Sequence, residues 1–314
     1  MESEIVGATL LTASSTTPGG APDASSCLLT TSSITLAASP ALSRRASDTT
    51  GHEAIPAAML WKTCLCNAPH GYIPGGVAIY RSVDRMVPAE LVALATIALV
   101  PGAVALFTAA DLSVRRWIAA AAGGGGWLLA YALRIPVIIA ASTALAPQQR
   151  MWLLVLLSGV FEEGVRYAVM RILSRGDSYR VRDAVSLGLG WGVTEALLIY
   201  VAALPIAAMR GLGYHQLLPG ALERNSAIAF HALVSIVVAY AAARRSIPVL
   251  VGAMAMHSGL NAAAVLLLAY LRNPWAVEGA IALSLSVPAA AAYACARALA
   301  RGAGGDGGGG PRVQ

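Results

Sequence analysis

Four apolar stretches of this sequence carry side chains able to move protons or hold a metal. LLSGVFEEGVRYAVM contains Glu162, Glu163 and Arg166, and SLGLGWGVTEALLIY contains Glu195. ERNSAIAFHALVS contains Glu223, Arg224 and His231, and VGAMAMHSGLNAAA contains His257 and Asn261. Carboxylates and imidazoles are the side chains that activate water as bases or ligate a catalytic metal. Histidine or asparagine can donate to a developing oxyanion.

Their spacing already divides the labour. Arg166 lies four residues from Glu162 and three from Glu163, so it can pair with either along one helix face. Adjacent glutamates point roughly 100° apart on a helix. One can therefore take Arg166 while the other faces inward. His257 and Asn261 share a face, as do His231 and Ser235. Gly188, Gly192 and Glu195 form another, where the small residues admit a close neighbour and bring Glu195 inside. Asn261 reads equally as an interhelical clasp or as a donor to a reacting oxygen. Glu223 and Arg224 read as a helix-end pair at the mouth of their span.

The elements that must position these groups are membrane helices. Of the 314 residues, 57% are hydrophobic and 12% charged, with a mean hydropathy of +0.66. Soluble domains carry roughly 25% charged residues. The fold class expected is an all-α, polytopic bundle of about seven transmembrane helices, at about 88–110, 117–144, 151–174, 184–204, 225–243, 247–271 and 276–300. Gly123–Gly126 and Pro136 predict a kinked or broken second span. Residues 1–86 are low in complexity and read as a disordered tail or as sequence upstream of a true start near Met86. Residues 87–301 form the membrane domain, and 302–314 a Gly-rich tail. The net charge of +6 is scattered over short loops, which argues against nucleic acid as a partner. Cys27, Cys64, Cys66 and Cys295 make neither a disulfide framework nor a CxxC pair.

Arginine distribution orients the bundle. Eleven arginines flank the loops after spans one, three and five and the C-terminal tail, against six on the other side. The expectation is a multi-pass cell-membrane protein with its N-terminus outside and its C-terminus in the cytoplasm. Measured from the outer ends of their spans at ~1.5 Å per residue, Glu162, Glu195, His231 and His257 lie roughly 15, 14, 10 and 20 Å deep. One band about 10 Å thick holds them all. Buried ionisable groups in a bilayer are costly, and four at one depth point to a shared function.

These motifs resemble a known family. EEGVR at 162–166 is similar to the EExxR motif of the CAAX-protease and bacteriocin-processing superfamily, and HSGLN at 257–261 to its HxxxN. Where that superfamily has FxxxH, Ala227 replaces the Phe, although Phe230 directly precedes His231. GxGWGxxEALL around Glu195 and ERxxAxxFHxxxS from Glu223 resemble the YhfC group of intramembrane metalloproteases, itself similar to the heptahelical scaffold subunit of gamma-secretase. The resemblance implies a protease acting on a membrane-protein or peptide substrate, with Glu162, Glu163, Arg166, Glu195, His231, His257 and Asn261 as its site. Glu162 is the expected base, Arg166 holds Glu163 ionised, His231 shares or orients the water's proton, and His257 with Asn261 serves the oxyanion. In a metal version, His231, His257 and Glu162 ligate zinc. The absence of HExxH favours the metal-free version. A non-catalytic scaffold and a proton-coupled transporter are the rival readings, the second weakened by the lack of an inverted repeat. A retinal receptor is excluded, because the only lysine is Lys62, in the tail.

Overall fold

The computed structural model describes residues 87–173 and 180–304. The N-terminal tail with Cys27, Lys62, Cys64 and Cys66, the 174–179 loop and the chain beyond 304 lie outside the described residues. Among the described residues every regular element is helical. These are α1 (Pro88–Ala110), α2 (Val114–Ala144), α3 (Pro147–Leu173), α4 (Val181–Glu195), α5 (Leu204–Met209), α6 (Tyr214–Arg244), α7 (Ile247–Leu271), α8 (Pro274–Ser284) and α9 (Ser286–Gly304). A π-turn (Ala196–Tyr200) and a 3-10 turn (Val201–Ala203) join α4 to α5.

Among the described residues six stretches are long and apolar enough to cross a membrane: α1, α2, α4 through α5 (Val181–Met209), α6, α7 and α8 with most of α9 (Pro274–Arg301). The 27-residue α3 is long enough as well. It differs in carrying Glu162, Glu163 and Arg166 in its middle, so its apolar stretch is interrupted by the groups of chemical interest. With it the described residues hold seven candidate spans. Large apolar side chains such as Val92, Phe107, Leu283 and Val287 stand exposed on the outside. An aqueous surface would penalise this arrangement and lipid favours it.

Helix α6 is the hub. Most of its apolar stretch is buried, unlike that of the other five apolar spans, and α1, α3, α4, α7, α8 and α9 all pack on it. Helix α4 is wedged between α2 and α6, where glycine lets backbones meet. A Cβ at Gly188 would collide with the His231 carbonyl, one at Gly192 with Ile228 Cα, and one at Gly190 with the Ala120 carbonyl. The small face predicted for α4 is therefore what seats it on α6.

Two expectations about elements are corrected. Of the kinked or broken second span expected, the break is absent: α2 runs for 31 residues through both Gly123–Gly126 and Pro136. Its glycines act in packing: Gly123 lies against the Leu187 carbonyl, Gly124 against Thr194 and Gly126 against the Trp191 ring. Tertiary contact outweighs the low helix propensity of glycine. The fifth span also begins earlier, at Tyr214 rather than near 225. The Gly213 amide donates to Gln216 Oε1 at 2.9 Å, which caps that earlier start.

Candidate active site

Glu162, His231 and His257, all buried, offer one ligand atom each within 4.8 Å of one another. They come from α3, α6 and α7, which pack pairwise. The convergence expected from depth is met in three dimensions.

Each imidazole is turned by its own carboxylate. Glu163 Oε1 lies 2.7 Å from His257 Nδ1, and Glu195 Oε2 lies 2.7 Å from His231 Nε2. Arg166 Nη2 lies 2.9 Å from His231 Nδ1. A guanidinium has donors only, so Nδ1 must present its lone pair and Nε2 must carry the proton given to Glu195. By the same logic the neutral His257 ring donates from Nδ1 to Glu163 and keeps its Nε2 lone pair. Both rings are thus prepared to act through unprotonated nitrogens. Phe230, buried beside them, stands edge-on to His231 and His257 with ring centroids at 5.7 and 5.1 Å.

Arg166 divides the two glutamates as the spacing predicts. Its Nη1 donates to Glu163 Oε2 at 2.6 Å, with both side chains fully buried. Glu162 is left to face the histidines. Two further donors hold it: Trp191 Nε1 to Oε2 at 3.0 Å and Arg134 Nη1 to Oε1 at 3.3 Å. Each Glu162 oxygen retains a lone pair beyond these bonds. The Trp191 ring also covers Arg166, whose Cζ lies 4.3 Å from the ring centroid.

Glu195 ends α4 at the π-turn. Such a turn is a frequent companion of functional sites. Its Oε1 accepts from Arg224 Nη1 at 3.1 Å, and Arg224 also donates to Glu223 from Nε at 2.6 Å and from Nη2. This corrects the reading of Glu223–Arg224 as a helix-end pair. Arg224 is buried and joined to the site, because α6 extends ten residues before it.

Asn261 stands one turn along α7 from His257 and donates to Ser158 Oγ at 2.7 Å. Its amide is engaged in clasping α7 to α3. Of the seven sequence-predicted site residues, five (Glu163, Arg166, Glu195, His231 and His257) form one bonded network, and Glu162 adjoins it through Trp191, which donates to Glu162 and covers Arg166. Arg134, Trp191 and Arg224 join that network without having been predicted. Arg134 had a usable signal: ten residues from the end of α2, it lies about 15 Å deep, level with Glu162.

Charge sharpens the chemistry. Glu162, Glu163, Glu195 and Glu223 face three guanidiniums, those of Arg134, Arg166 and Arg224. With both histidines neutral, one negative charge in this network lacks a partner. Leaving a buried charge unbalanced is expensive, so the network favours a further cation or proton. Two neutral imidazoles and a carboxylate are also a donor set of catalytic zinc, and histidine ligands are commonly oriented by carboxylates. Ligands about 2.1 Å from a tetrahedral ion stand ~3.4 Å apart, so the widest separation needs to close by up to about 1.4 Å. The residues fit a metal, provided Arg166 Nη2 yields the His231 lone pair.

One comparison with known proteins finds a match. The family model of the YhfC intramembrane metalloproteases matches residues 116–210, under a third of the chain. That stretch holds Glu162, Glu163, Arg166 and Glu195, and stops before His231 and His257. No curated protein and no solved structure matches the chain.

Proposed function

We propose that this chain is an intramembrane protease that hydrolyses a peptide bond in or near the membrane segment of a protein substrate. The carrying observation is the meeting of Glu162, His231 and His257 donor atoms within 4.8 Å, below the surface of a bundle of membrane helices. The YhfC match supports the same class, and the donor set moves the preference from the metal-free version to a metal-dependent one. Bound there, a divalent metal supplies Lewis-acid polarisation of the peptide carbonyl and acidifies the attacking water.

The chain's own residues do the rest. Glu163 and Glu195 hold the two ring N–H groups and so aim the unprotonated nitrogens. Trp191 and Arg134 fix Glu162. Arg166 ties α3 to α6 by serving Glu163 and His231 together. Glu162 takes a proton from water if no metal binds, and ligates if one does. Glu162→Gln should therefore abolish cleavage on either route.

The test compares membranes containing the wild-type protein and Glu162→Gln by mapping new protein N-termini. N-termini that depend on Glu162 are expected. Identical sets from both, with the variant still folded, would leave a scaffold role. Chelation during the wild-type reaction separates the two routes, since full activity after verified metal depletion would remove the metal.

A further inference from the structure

Arg224 is the one guanidinium of the network that touches neither Glu162 nor a histidine, yet it lies as deeply buried as Glu162. It precedes His231 by seven residues, two turns of α6, so both project from one face. Glu195 on α4 spans the gap between them. Its Oε1 accepts from Arg224 and its Oε2 lies 2.7 Å from His231 Nε2. Glu223 takes Nε and Nη2 of the same guanidinium, which leaves Nη1 directed at Glu195. The Glu195 and Glu223 side chains are each 18% exposed against 4% for Arg224. Neither carboxylate is held by its own burial. The buried cation holds both.

We propose that Arg224 is a positioning residue: it pins Glu195, which turns His231 so that Nδ1 is presented to the site. The arm Glu223–Arg224–Glu195 then sets how tightly the site holds a divalent metal. A purely architectural ion pair would stabilise the α4–α6 contact and leave metal affinity alone. This inference rests on the metal-dependent reading above.

Purified full-length protein in detergent, titrated with zinc against a competing chelator, tests it. Arg224→Met should bind zinc 10- to 100-fold more weakly, the range typical of lost outer-shell partners. Glu195→Gln should show a similar loss, and the double variant no more than the larger single one. Arg224→Lys should fall between, because an ammonium cannot serve Glu223 and Glu195 with one planar fork. Cobalt absorption spectra of the loaded variants should shift with the change at His231. Wild-type affinity in Arg224→Met, or fully additive losses in the double variant, would overturn the positioning role. If Arg224→Met does not fold, Arg224→Lys decides: affinity equal to wild type overturns the proposal. Failure of the wild-type protein itself to bind zinc would overturn the metal reading, a result distinct from either.

Discussion

At the scale of single residues, the site works by assigning every lone pair and proton an owner. Trp191 shows how much one side chain can carry, since its N–H holds Glu162 while its face covers Arg166. Trp191→Phe separates these tasks, removing the donor and keeping an aromatic face. A hydrogen bond to a charged group is worth about 1.5–3 kcal/mol. If that support counts fully in the transition state, cleavage should slow by roughly 10- to 100-fold. The melting temperature should fall as well, because a buried donor and part of a completely buried ring are lost together. Rate measurements on a substrate identified by N-terminal mapping would check it, and an unaltered rate would assign Trp191 to packing alone. Trp191→Ala should cost the fold itself about 3–5 kcal/mol, because the ring is completely buried. Sequence patterning showed Trp191 only as part of GxGWG. Nothing local reveals that an indole N–H on α4 meets a carboxylate on α3, because that contact depends on how α4 rotates between its neighbours.

At the scale of elements, most spans could be read directly because lipid imposes a length on apolar runs. The harder boundary was the start of α6. Pro219, Glu223 and Arg224 lower the hydropathy of its first turns, and the burial of Arg224 is compensated by Glu223 beside it together with Glu195 from another helix. The same cause hid the continuity of α2. Glycine and proline are helix breakers taken alone, while a neighbouring backbone at contact distance makes glycine the only residue that fits. Gly123 and Gly125 give a matched test of that explanation. A Cβ at Gly123 would overlap the Leu187 carbonyl, whereas one at Gly125 meets nothing within 4 Å. Gly123→Ala should destabilise the α2–α4 contact by about 1–3 kcal/mol or more. Gly125→Ala should be neutral or stabilising by up to about 1 kcal/mol. Thermal unfolding in detergent would compare them, and equal effects would mean that packing does not explain the glycine run.

At the scale of the whole molecule, the polar network bears on orientation as well as chemistry. The count of eleven arginines against six includes Arg224 among the outer ones. Its guanidinium is buried with Glu195 and Glu223, so it does not act as a loop charge, and five remain on that side. The asymmetry that favours an outer N-terminal side and a cytoplasmic C-terminal side becomes sharper. On this topology the α1–α2 loop is cytoplasmic and the α2–α3 loop is external. Leu112, 95% exposed in the first loop, and Ala146, exposed in the second, are suitable reporters. In a background with Cys27, Cys64, Cys66 and Cys295 replaced, Ala146→Cys should react with a membrane-impermeant maleimide on intact cells. Leu112→Cys should react only after permeabilisation. The reverse pattern would invert the bundle. Labelling of both in intact cells would mean that α2 does not cross. Measured along the observed helices, Glu162 stands ~22 Å from the outer end of α3 and His231 ~26 Å from that of α6. The expected result therefore puts the site near the middle of the bilayer, and substrates cut close to the centre of a membrane span should be sought first.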